Sequence, residues 1–148
     1  MQKIILAVTV LAAAALAQPA RAELNLTPCD AELAAEISRI DGAIATARSE
    51  WQSSANARIS ASGMSEQQRL SFEKTYTEEA AGLFSDLSRT LEVVAKVRMP
   101  LVLPAYNAVI CQRLEPLRRV NDEIVVSYRQ LLTGLLEVLD QSLARAVQ

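Results

Sequence analysis

Residues 114–143 read LEPLRRVNDEIVVSYRQLLTGLLEVLDQSL, and this stretch decides the fold. Leu114, Leu117, Asn121, Ile124, Tyr128, Leu131, Leu135 and Val138 recur at alternating steps of three and four. That is the coiled-coil-like seam of a helix packed lengthwise on other helices. A second row, Val125, Leu132, Leu136, Leu139 and Leu143, runs beside the first, so the apolar face has room for two neighbours.

Working upstream, Pro116 falls inside this pattern and Pro100 and Pro104 precede it. A proline within a helix removes a hydrogen bond and forces a kink. The segment from Pro104 onward therefore reads either as a third helix kinked at Pro116 or as a short helix followed by a long one. Pro100-Leu101-Val102-Leu103-Pro104 forms an elbow, because a residue before proline avoids the helical region. Before it, Ser65 and Gln68 have capping-box spacing and start a helix that runs to about Met99. Its seam reads Leu70, Thr77, Ala80, Phe84, Leu87, Leu91 and Val94. Earlier still, Thr27-Pro28-Cys29-Asp30 opens a helix, with Thr27 as cap and Pro28 in the first position. Leu33, Ile37, Ile40, Ile44, Ala47 and Trp51 carry its seam, and Ser62-Gly63 ends it. The outcome is an all-α chain, an elongated up-down-up three-helix bundle about 50 Å long or slightly longer. Few glycines and aromatics agree with that class.

The chain opens Met1-Gln2-Lys3, stays apolar from Ile4 to Ala17, and then reads Gln18-Pro19-Ala20-Arg21-Ala22. This is the pattern of a cleaved secretory signal peptide over residues 1–22, leaving residues 23–148 as one domain. The apolar run is too short to span a bilayer, which takes roughly 20 residues, and no later stretch is longer without charges. The expected location is periplasmic or secreted. Without Lys3 and Arg21 the net charge falls from −2 to −4. A mildly acidic, mixed surface argues against nucleic acid, whose footprint is a basic patch. Asn25-Leu26-Thr27 has the form of a glycosylation sequon, but the leader is of bacterial type.

Two cysteines, Cys29 and Cys111, remain, and an even count in an exported chain favours a disulfide. In the bundle both fall at the same end, so the bond and the topology support each other. No histidine accompanies them and no CxxC occurs, so the expectation is no metal and no haem. Without histidine or a free thiol, nucleophile–base catalysis has little to work with, so no catalytic residue is assigned and no cofactor is expected. Glu73, Glu78 and Glu79 read as a solvated helix face rather than an acid–base or metal site. Arg113, Arg118 and Arg119 are the densest basic group and a candidate anion site. The plainer reading pairs Arg118 and Arg119 with Asp122 and Glu123, four residues on. Asn121, polar within a seam, reads as a register-setting contact.

Ile37-Ser38-Arg39-Ile40-Asp41 with Arg48 resembles the first helix of the all-helical chorismate mutases, some of which are exported and disulfide-bonded. The resemblance covers residues 37–48 and implies catalysis on a small ligand within the bundle. Arg48 follows Asp41 sooner than in that family, and no lysine occurs between Ala22 and Lys74. Met64-Ser65-Glu66-Gln67-Gln68 resembles, once only, the repeated motif of periplasmic helical stress chaperones.

One mismatch points to function. In the up-down-up arrangement residues 131–143 face the polar, small-residue parts of the other helices. Leu132, Leu136, Leu139 and Leu143 are therefore the expected contact surface for another protein or a second copy; the alternative is that Phe72, Tyr76, Trp51 and Ile59 suffice to cover them, or that the third helix bends. The expected role is a non-enzymatic adaptor, inhibitor or chaperone; the alternative is ligand binding or catalysis near Arg113, Arg118 and Arg119.

Overall fold

The computed structural model describes residues 29–148. The leader over residues 1–22, the sequon and the Thr27-Pro28 helix start lie outside these residues. The described chain is almost entirely helical and contains no strand: α1 Asp30–Ala61, α2 Glu66–Val97, a single turn α3 Met99–Val102, α4 Pro104–Cys111 and α5 Leu114–Ala146. None of these helices is long and apolar enough to cross a membrane.

Each boundary has a local cause. Asp30 and Glu32 sit in the first turn of α1, where a negative charge is favourable against the helix dipole. At its other end the Ser62 hydroxyl donates to the Ile59 carbonyl at 2.6 Å, and Gly63 takes φ 65°, the left-handed turn that glycine reaches without strain. The capping box is formed as the spacing predicts. The Gln68 N–H donates to Ser65 Oγ at 3.3 Å, and the Ser65 N–H donates to Gln68 Oε1 at 2.9 Å. Leu103 is extended (φ −117°, ψ 101°), as a residue before proline must be, and it separates α3 from α4.

Pro116 does not kink a helix. The break lies upstream, at Gln112 and Arg113, where the Arg113 N–H folds back onto the Ile110 carbonyl at 2.8 Å. Pro116 is then the third residue of α5, one of the first-turn positions whose N–H has no helical partner anyway. A continuous helix would have driven the proline ring into the Gln112 carbonyl, and breaking one turn earlier avoids this. Of the two readings of the segment from Pro104 onward, a short helix followed by a long one is the one formed, so four helices of eight residues or more stand in place of a three-helix bundle.

α5 is the central element. Its partners on α1 climb in the same direction, from Glu36–Asn121 through Arg48–Tyr128 to Arg58–Asp140. Its partners on α2 run the opposite way, from Leu83 beside Gly134 to Glu79 beside Ser142 and Arg145. Close backbone approaches between α1 and α2 themselves are few. The core is a row of three clusters along α5: Leu33, Ile37 and Leu114 near the disulfide; Ile40, Ile44, Ala80, Tyr128 and Leu135 in the middle; Ala55, Phe72, Leu139 and Leu143 at the far end. Gly134 is not needed for close approach, since a Cβ there would meet Leu83 at 3.5 Å, ordinary van der Waals contact.

The α2 seam is displaced in its first half. Leu70 is 67% exposed and Phe84 38% exposed, while Phe72 is buried and Tyr76 and Leu83 pack on the core. The inner stripe therefore runs 72, 76, 80, 83, 87, 91, 94. Burying two aromatic rings, stacked on each other with centroids 5.8 Å apart, outweighs burying Leu70 and Thr77.

Candidate functional site

The displaced seam of α2 overturns the expected contact surface. Leu132, Leu139 and Leu143 are buried, and Leu136 is half-buried against the far-end cluster. Phe72, Tyr76, Trp51 and Ile59 cover them. Burial also pushes the Tyr76 phenol up from its ordinary pKa. Outside this cluster Glu79 accepts from Ser142 at 2.9 Å and from Arg145 at 2.6 Å. Arg145, then Ser142, hold its carboxyl below the usual range. The far end of the molecule is closed.

The three arginines do not form a common anion site. Arg113 and Arg119 are exposed and make no ion pair among the described residues. Arg118 lies 3.5 Å from Glu115 and 3.9 Å from Glu36. The expected local pairing is replaced: Asp122 meets Arg39 of α1 at 2.8 Å instead of Arg118. The helical arrangement puts Asp122 on the α1 side of α5, within reach of a longer-range partner.

That pair belongs to a network that periodicity alone did not reveal. Glu36 sits on the inner side of α1 with its side chain 3% exposed. Arg39 holds it with two hydrogen bonds, Nε to Oε2 at 2.9 Å and Nη2 to Oε1 at 2.7 Å. From α5, Asn121 Nδ2 donates to Oε1 at 2.9 Å, while its Oδ1 is buried without a partner. The Arg39 hydrogen bonds hold the Glu36 carboxyl below its ordinary range; burial opposes them and Asn121 adds to them. A buried acid in this state is locked as an anion and cannot easily exchange a proton. It reads as the register device expected of Asn121, with the partner now identified.

Below this network lies the disulfide, Cys29–Cys111, with Cα atoms 5.5 Å apart. Asn107, 7% exposed, donates to Asp30 and keeps the start of α1 on α4. The next feature is the elbow. Val102 is 76% exposed, Val109 57%, Tyr106 56%, Met99 47% and Leu103 41%. Residues 99–112 contain no charge, and no acid occurs between Glu92 and Glu115, whereas Lys96, Arg98 and Arg113 bracket the run. The signal for this surface was in the sequence, as an uncharged run between basic residues, but it reads locally as a turn. Only the fold shows that α4 turns Asn107 inward with Ile110 and leaves Tyr106 and Val109 outside.

Of the residues behind the chorismate mutase resemblance, Asp41 and Arg48 border the same trough between α1 and α2 and Arg39 does not. Arg39 engages Glu36 and Asp122, Asp41 pairs with Arg98, and Arg48 donates from Nε to the Tyr128 hydroxyl at 3.3 Å. Among the described residues no group of His, Cys, Asp or Glu is placed to hold a metal ion. Glu73 is paired with Arg69 at 3.2 Å, and Glu78 is exposed. No family model, no curated protein and no solved structure matches the chain.

Proposed function

We propose that this chain is an exported, periplasmic or secreted, non-enzymatic protein that works by binding another protein through its apolar elbow. The observation that carries the reading is the exposure of Met99, Val102, Leu103, Tyr106 and Val109 in one uncharged run beside the disulfide. Large apolar groups held together at a surface are the usual mark of a contact site, and a Tyr among them suits a hot spot. The leader pattern and the disulfide both fit an oxidising compartment. In this reading the long helices act as an elongated up-down-up bundle that carries the elbow at one end.

Charge favours a partner with an acidic rim around an apolar surface. Lys96 and Arg113 are exposed beside the elbow. A two-fold contact between elbows would bring these cations towards their own copies, so a different protein is favoured over self-association.

Site-directed photo-crosslinking in the producing cell tests this. A crosslinking side chain at Tyr106 or Val109 is expected to trap a protein of defined mass, and one at exposed Ala144 is not. Equal trapping at all three positions, or none at Tyr106 and Val109, overturns the reading.

A further inference from the structure

We infer that the trough between α1 and α2 binds a small organic monocarboxylate carried on an apolar body. The two helices pack on α5 while their own backbones rarely approach, and a trough of about 450 Å³ is left between them. Ile44 and Arg48 of α1 and Leu91 and Val94 of α2 line it. Asp41 and Arg98 close one end with an ion pair of 2.5 Å. Asp41 and Arg48 are seven residues apart on α1, so the trough is about 10 Å long.

The two cations in it differ. Arg98 is neutralised by Asp41, whereas Arg48 has no carboxylate partner among the described residues. Its Nε donates to the hydroxyl of Tyr128, a side chain 2% exposed, which draws the guanidinium towards the core edge. Its two terminal nitrogens have no acceptor among the described residues. A guanidinium beside apolar walls, part of its hydration replaced by a phenol, is a fork matched to a carboxylate. Leu91, half-buried, with exposed Ala45 and Ala95 offers the apolar contact that an uncharged body would cover, above a floor of buried Ile44 and Val94. With Asp41 and Arg98 neutralising each other, Arg48 is the one unpaired charge among the lining residues, which favours a ligand with a single negative charge and a neutral tail. Nothing in this site involves the elbow, so it stands independently of the proposed contact function.

The test is a methyl-resolved NMR titration of the whole protein with octanoate, against n-octanol as the neutral probe of matching length. Octanoate is expected to shift Ile44, Leu91 and Val94 saturably, and octanol to bind at least tenfold more weakly. Arg48→Ala should weaken octanoate tenfold or more, Arg48→Lys should retain part of the affinity, and circular dichroism should show both variants folded. Equal binding of octanol, shifts that survive Arg48→Ala unchanged, or absence of saturable shifts at Ile44 and Val94 would each overturn the assignment.

Discussion

The two ends of this molecule solve the same packing problem in opposite ways. At the far end Phe72, Tyr76 and Trp51 reach across small residues such as Ala55 and close over Leu139 and Leu143. At the disulfide end the three-residue cluster of Leu33, Ile37 and Leu114 is narrow, and a covalent bond and polar pairs complete the attachment. Met99, Val102, Leu103, Tyr106 and Val109 there are left outside. The lesson is that apolar content does not locate an exposed surface. What decides is whether a neighbouring helix supplies large side chains at the right level.

If this contrast is right, the ends should respond differently to damage, and the largest response should come from the disulfide end. Replacing both Cys29 and Cys111 by Ser opens a loop whose ends are 82 residues apart. The expected loss is about 4–5 kcal/mol in the chain-entropy model, read by urea denaturation. A loss below about 1 kcal/mol would show that the polar contacts hold this end unaided. Phe72→Ala, at the far end, is expected to cost about 3–5 kcal/mol, because a fully packed ring leaves a cavity that helices cannot easily collapse. The same variant should expose Leu139 and Leu143 and increase dye binding by the folded state. An unchanged dye signal would mean that other groups cover them.

The network just above the disulfide is expected to come next. Glu36→Ala should cost about 3 kcal/mol, since Asn121 is then left buried without a partner for either end of its amide. The sign of its pH dependence follows from the carboxyl being held low, first by Arg39. The folded state binds this proton less readily than the unfolded chain. Its contribution is therefore complete above the ordinary carboxyl range, near about 4.3, and is lost as pH falls through the lower folded value. Denaturation between pH 6 and 3 should show a decline that is shallower in Glu36→Gln. Equal slopes would remove Glu36 from the account. The smallest effect is expected at the elbow itself. Val102→Ser should change stability by less than about 0.5 kcal/mol, as for an exposed site, while reducing crosslinking from Tyr106. A larger stability change would mean that Val102 packs inside the fold rather than facing a partner.

Much of the framework was legible in the sequence. The seams of α1 and α5, the Ser65–Gln68 box, the Gly63 terminus and the cysteine pair all arise from local or strictly periodic signals. The first half of α2 was not, because Leu70 and Phe72 differ by two positions and either row gives a plausible stripe. Only the partner face on α5 selects the aromatic one. The same error propagated to function, since the row Leu132, Leu136, Leu139 and Leu143 lacks cover only if Phe72 and Tyr76 point away. Pro116 was ambiguous for another reason: a proline forbids one helical hydrogen bond without saying whether the helix bends there or begins just before. Glu36 was hidden because an acid on a helix reads as surface unless its opposite number, here Asn121, is known.

The central place of α5 also has a consequence for the order of assembly. α1 and α2 have little to hold each other, and the partners of both lie in the last quarter of the chain. As the polypeptide is made, the inner faces of α1 and α2 gain their main partner only when that final segment arrives. The packing of the two long helices is therefore expected to be completed late and together.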